Sequence, residues 1–178
     1  LVFAQFIRRY DNLKFSLTEG GAGWIPYFLE RVDYTYRHHS AWTKLDLGEG
    51  RLPSDIFREH ILACFIDDKS AVRNRDVIGV DNLCWEADYP HSDTTWPHTP
   101  ERLWESFDGQ DISEGDVNKI THENAIRWFN YNPFQYRPRE KCTVGALRAE
   151  ARHVNVDLVS HNRGKPPSDF KKGYATIE

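Results

Sequence analysis

Apolar positions recur along this chain with two periods, and the switches between them lay out its elements. Residues 1 to 9 carry Val2, Phe3, Phe6 and Ile7 at helical spacing, and Arg8 and Arg9 suit the carboxyl end of a helix. Asp11-Asn12 signals a turn. Leu13 to Glu19 predicts a strand, whose two-residue period places Leu13, Phe15, Leu17 and Glu19 on one face. Pro26 fits the first turn of a helix. Ile25, Phe28, Leu29, Val32 and Tyr36 form its apolar stripe, and His38-His39 ends it. Residues 43 to 53 predict a loop, and Ser54 predicts the cap of a short helix reaching His60. Residues 61–66 are apolar throughout and predict a strand. Asp68 or Ser70 caps the next helix, residues 71–78, and Gly79 stops it. Residues 82–88 predict a third short strand, and Pro90 forbids its ladder from continuing. Strand, helix and strand in this rhythm predict parallel pairing.

Further on, Pro100-Glu101 opens a helix containing Leu103, Trp104 and Phe107. Ser113-x-x-Asp116 resembles a capping box. Val117, Ile120, Thr121, Asn124, Ala125 and Trp128 make another helical stripe, in which Asn124 needs polar partners if buried. From Tyr131 the composition shifts. Asn132, Pro133 and Pro138 break the helix, and Thr143 predicts the cap of a short helix through Arg152. The chain therefore divides into residues 1–130, which carry the regular elements, and an extension, 131–178, which packs in part and frays at its polar end. There are no internal repeats.

Candidate chemistry gathers where the strands stop. Asp88 closes an apolar strand and His91 follows in the loop, the place where barrel enzymes keep their chemistry. A local cap is the alternative for Asp88. If Glu19 points inward, it reaches the same rim. Asp67-Asp68 could reach that rim too, but capping of the next helix is the preferred reading. Gly20, Gly21 and Gly23 permit close backbone approach to a ligand, yet they lack the dinucleotide spacing, and tight loop geometry explains them better. His38 and His39 diverge by about 100° on a helix and cannot easily share a metal.

Asp88-Tyr89-Pro90-His91, preceded by Trp85, resembles the last barrel strand of the amidohydrolase-related family, which includes aminocarboxymuconate-semialdehyde decarboxylase-like enzymes. Thr18 to Pro26 resembles that family's sixth strand with its Gly-rich exit. Leu29-Glu30-Arg31-Val32-Asp33 resembles the helix that follows, and Thr121 to Ala125 the closing helix. The four motifs stand in the family's order over roughly residues 1 to 130. The resemblance implies an α/β fold: the carboxyl-terminal part of a TIM barrel, with about three parallel strands, outer helices and a partly irregular tail. It implies a divalent metal ion, zinc first among the candidates, bound by Asp88. It also implies a His-x-His pair and a further His, which cannot be placed in this sequence. In the decarboxylase branch a His closes the sixth strand; Glu19 stands there instead, which counts against decarboxylation. The expected function is a metal-dependent hydrolase acting on a small organic substrate through an activated water. Asp88 and Glu19 would be catalytic, and His91 and Trp24 would line the substrate. A decarboxylase of the same family, or a non-catalytic barrel fragment, is the alternative.

Composition adds limits. A full eight-fold barrel takes about 250 residues, and this chain has 178, with no Met. It is therefore expected to be the carboxyl-terminal portion of a longer protein. A net charge of −4 gives no basic surface for nucleic acid or anionic membrane, and no apolar run approaches the ~18 residues of a membrane span. Three widely spaced cysteines, Cys64, Cys84 and Cys142, point to a reducing compartment, hence the cytoplasm. The partner expected is a small molecule, and the unpaired edges of a partial barrel suit a homodimer.

Overall fold

The computed structural model describes residues 1–48 and 50–156. Three strands, β1 (Phe15–Leu17), β2 (Ile61–Phe65) and β3 (Leu83–Trp85), form one parallel sheet in the order β1-β2-β3. Leu17 pairs with Ala63, Ala63 with Leu83, and Phe65 with Trp85. The three carboxyl ends therefore lie along one edge, as the βαβ rhythm predicts. Each strand is shorter than its predicted run. Glu19 and Asp88 both adopt positive φ, which takes the backbone out of the extended region and ends the ladder early.

Among the described residues, nine α-helices accompany the sheet in chain order: α1 (Gln5–Arg9), α2 (Ile25–Thr43), α3 (Pro53–His60), α4 (Lys69–Arg73), α5 (Arg75–Ile78), α6 (Thr99–Phe107), α7 (Glu114–Asn118), α8 (Asn124–Phe129) and α9 (Val144–Glu150). One sheet face packs Ile61, Ala63, Phe65 and Leu83 against Ile25, Leu29 and Val32 of α2, Ile56 and Phe57 of α3, and Val72 of α4. The other face carries a smaller cluster, Leu62, Cys64 and Cys84, with Ala125 and Trp128 of α8 against it. β2 is buried on both faces, which is why it is apolar at every position. Cys64 and Cys84 are register partners with free thiols. The Cys64 sulfur and burial both push the Cys84 thiol up, so it stays neutral and packs as a small apolar residue.

Several expected boundaries move. α2 continues to Thr43, so His38-His39 does not close it. Each imidazole is instead held along the helix: His38 Nδ1 lies 2.8 Å from the Tyr34 carbonyl, and His39 Nδ1 accepts from the Trp42 indole at 3.1 Å. α3 begins at Pro53, and Ser54 does not cap it; the Ser54 hydroxyl donates to Asp33 on α2 at 2.8 Å. Residues 71–78 form two short helices rather than one, with Gly79 at their end as expected. In the tail, Thr143 caps α9 as expected, but α9 stops at Glu150. Arg148 of α9 grips Glu101 of α6 with two hydrogen bonds of 2.5 and 2.8 Å. The polar end of the extension, 157–178, lies outside the described residues. Among the described residues no helix is long and apolar enough to cross a membrane.

Asn124 shows how the closing helix is seated. A π-helical turn, Lys119–Glu123, separates α7 from α8. Just after that turn Asn124 is buried, and its amide donates to the Val80 carbonyl at 2.7 Å and the Leu83 carbonyl at 2.8 Å. It thus finds the partners that a buried amide needs. Asn124→Ala takes a donor from both carbonyls at the entry to β3, leaving Val80 with the Leu83 N–H, an expected loss of about 1–3 kcal/mol in urea unfolding. A shift near zero would mean that water replaces the amide.

Candidate metal centre at the carboxyl ends of the strands

Two acids leave the sheet by the same kind of turn. Glu19, beyond β1, has φ 60°, and Asp88, beyond β3, has φ 49°. The left-handed region costs most L-residues about 1–2 kcal/mol, although Asp tolerates it through local hydrogen bonds. The Asp88 carbonyl accepts the His91 N–H at 2.8 Å, which closes a turn. That turn brings His91 Nδ1 to 3.0 Å from Asp88 Oδ1 and 4.0 Å from Glu19 Oε1. One ligand atom from each of Glu19, Asp88 and His91 lies within 4.8 Å of the others. The Asp88 side chain is 10% exposed, those of Glu19 and His91 54% and 69%, so the cluster has a buried floor and an open side.

The sequence names these three residues, Asp88 as the metal ligand, Glu19 as a catalytic acid and His91 as a substrate contact, and the structure brings them together; how Glu19 arrives differs from the expectation. Phe15 and Leu17 pack towards the main core under the helices, so the shared face expected for Leu13, Phe15, Leu17 and Glu19 ends at Leu17. The left-handed turn at Glu19, rather than the strand period, carries its carboxylate to Asp88. A third acid, Glu86, goes unnoticed in the sequence because it follows an apolar run. Its backbone N–H donates to the Phe65 carbonyl at 2.9 Å, continuing the β2–β3 ladder, and its Oε1 accepts the Glu19 N–H at 2.6 Å. Burial pushes the Glu86 carboxyl up. The Glu19 N–H opposes this, and the Glu19 and Asp88 charges add to the rise.

The Gly-rich loop after Glu19 is clamped rather than open. Asp68 caps α4 by accepting the Ala71 N–H at 2.8 Å. The same carboxylate accepts the N–H groups of Ala22 at 2.9 Å and Gly23 at 2.8 Å. These two amides are therefore committed to Asp68, which rules them out as a phosphate cradle. A Cβ on Gly23 would stand 2.7 Å from Ser70 Cβ and 2.9 Å from Asp68 Oδ1, so the glycine is there for close packing. Asp67 takes no part in the cluster; its carboxylate accepts from the buried Ser106 hydroxyl at 3.2 Å. Trp24 folds back on the loop, its indole N–H donating to the Gly20 and Gly21 carbonyls and its ring meeting Phe28 edge-on at 5.4 Å. None of these contacts is with Asp88 or His91.

Two carboxylates and an imidazole are a donor set that zinc accepts, and they fit a divalent ion in kind and in mutual distance. The electrostatics agree. Among the described residues no Lys or Arg forms an ion pair with Glu19, Glu86 or Asp88, so their negative charge is left for a cation to neutralise.

A family model described as amidohydrolase matches residues 1–131. No curated protein matches the chain. Among solved structures, the chain is similar to the 5-carboxyvanillate decarboxylase LigW of Sphingomonas paucimobilis, with TM-score 0.56 and 24% identity over 74% of this chain and 38% of that one. It is also similar to the amidohydrolase map2389c of Mycobacterium avium subsp. paratuberculosis K-10, with TM-score 0.57 and 20% identity over 71% of this chain and 30% of that one. At these identities the likeness is one of fold, that of part of a TIM barrel. The chain spans about a third of the length of both structures. By the match over residues 1–131, the chain belongs to the amidohydrolase family.

Proposed function

We propose that this chain supplies part of the active site of a metal-dependent hydrolase that acts on a small organic substrate. The observation that carries the reading is the meeting of Glu19, Asp88 and His91 at the carboxyl ends of parallel strands, the end at which barrel enzymes work. Asp88, Glu19 and His91 would hold a divalent ion, zinc by the chemistry of the donors. Such an ion, when bound, makes a neighbouring water acidic enough to attack near neutral pH.

The roles of the side chains follow from exposure and contact. Asp88, the most buried of the three, takes the proton of the attacking water and relays it. His91 sits 3.0 Å from Asp88 and orients that carboxylate. Glu19, more than half exposed, faces the substrate and serves as a second base. Trp24 is 46% exposed and offers a planar ring at the edge of the loop, which suits an aromatic substrate.

Decarboxylation of a carboxylated aromatic compound is the second reading, favoured by the likeness to the 5-carboxyvanillate decarboxylase. Against it, three carboxylates repel an anionic substrate unless the metal offsets them. The test uses the intact protein, stripped with a chelator and reloaded with zinc. It is offered small aromatic amides, esters and carboxylic acids. Zinc-dependent hydrolysis is the expected result. Zinc-dependent release of carbon dioxide would establish the second reading. Turnover indifferent to chelator would overturn both.

A further inference from the structure

We propose that Glu86 is a positioning residue that fixes the left-handed turn at Glu19 and so presents the Glu19 carboxylate to Asp88 and His91. The inference rests on the metal reading given above. It starts from the sheet order. β1 and β3 are not neighbours; β2 lies between them. Strands in a sheet lie about 4.7–4.9 Å apart, so a side chain on β3 must cross the end of β2 to touch the exit of β1. Glu86 does this, and its Oε1 meets the Glu19 N–H at 2.6 Å.

Both ends of that bridge are informative. Glu86 is fixed at its base, because its own N–H extends the ladder to the Phe65 carbonyl at 2.9 Å. Its carboxylate is thus held by the sheet, whereas Glu19 stands two residues beyond the last residue of β1. A non-glycine residue at φ 60° persists when its surroundings hold it there. A carboxylate accepting the N–H of that very residue is such a hold, and a charge-assisted bond of this kind is stronger than a neutral one. The Glu19 side chain emerges from the held residue and reaches within 4.0 Å of His91. Glu86 itself need not touch a metal or substrate to act in this way.

The role sets a demand that a general need for negative charge does not. The backbone bond requires an acceptor oxygen at the right reach, which Gln supplies and Ala does not. The experiment compares wild type, Glu86→Gln and Glu86→Ala in the intact protein. Each is stripped of metal and titrated with zinc by calorimetry, well below its melting temperature. Exchange of the Glu19 amide is followed by NMR on the same samples. Outer partners of metal ligands are typically worth about 10–100-fold in affinity. Glu86→Ala is expected to weaken zinc binding by about that factor and to speed exchange at Glu19. Glu86→Gln keeps the acceptor but not the charge, and should lose clearly less than Glu86→Ala in both. Zinc binding that ignores Glu86→Ala would overturn this role alone, since a merely structural residue shifts melting without shifting affinity. Equal losses in Glu86→Gln and Glu86→Ala would also overturn it, because charge and not position would then matter. A wild type that binds no zinc would overturn the metal reading first and this role with it.

Discussion

Asp88→Asn in the intact protein is expected to fold as the wild type does, to lose about 10²–10⁴-fold in turnover and to bind metal more weakly. The substitution separates the two roles that a carboxylate at a strand end can have. Asn keeps the size of Asp and accepts the left-handed φ of 49° almost as readily. It also keeps an oxygen for the 3.0 Å contact with His91. What it loses is the charge and the ability to take a proton. Melting temperature, zinc content and turnover should be measured on one preparation. A residue that only closes the turn would show full turnover with a full metal complement, and the enzyme reading would then lose its main side chain.

Asp68→Ala should have the largest effect on stability, about 3 kcal/mol, and this in a fold whose total is of the order of 5–15 kcal/mol. One carboxylate accepts three backbone N–H groups, from Ala71 at the start of α4 and from Ala22 and Gly23 in the loop after β1. Removing it uncaps the helix and releases the loop together. Asp68→Asn should fall between, because its NH2 group turns a donor towards amides that also donate. Gly23→Ala provides the cross-check. Its Cβ would collide with Ser70 and with the Asp68 carboxylate, so part of its cost should vanish once Asp68 is Ala. Chemical unfolding of the two single variants and the double variant measures that coupling. Strict additivity would mean that loop and helix cap are independent, contrary to the geometry.

Much of this architecture is legible in the sequence for identifiable reasons. Residues 61–65 are apolar at every position, which only a strand covered on both faces needs, and they become the central strand. Asp68 stands one residue before α4 and caps it, as a short polar side chain there should. Asp88 is legible because Pro90 must end the strand beside it. Glu19 is legible as a candidate but not in its geometry, since a two-residue period describes extended backbone and fails at φ 60°. Glu86 is the instructive omission. Its partner is a backbone N–H 67 residues away, and no local pattern encodes such a bond. The available signal is the two-residue spacing from buried Cys84 to Glu86, which places an acid directly beyond an apolar position of the same strand. The end of α2 is misjudged for a different reason: His38 and His39 are held by Tyr34 and Trp42 within the helix, so they extend it instead of closing it.

If Glu19, Asp88 and His91 together hold a divalent metal, diffraction at the zinc absorption edge from crystals of the zinc-loaded intact protein will show an anomalous peak within about 2.0–2.2 Å of an Asp88 carboxylate oxygen, a zinc–carboxylate bond length, with Glu19 or His91 also in contact. A peak held entirely by other residues, or none after zinc loading, would mean that these three side chains are not a metal site.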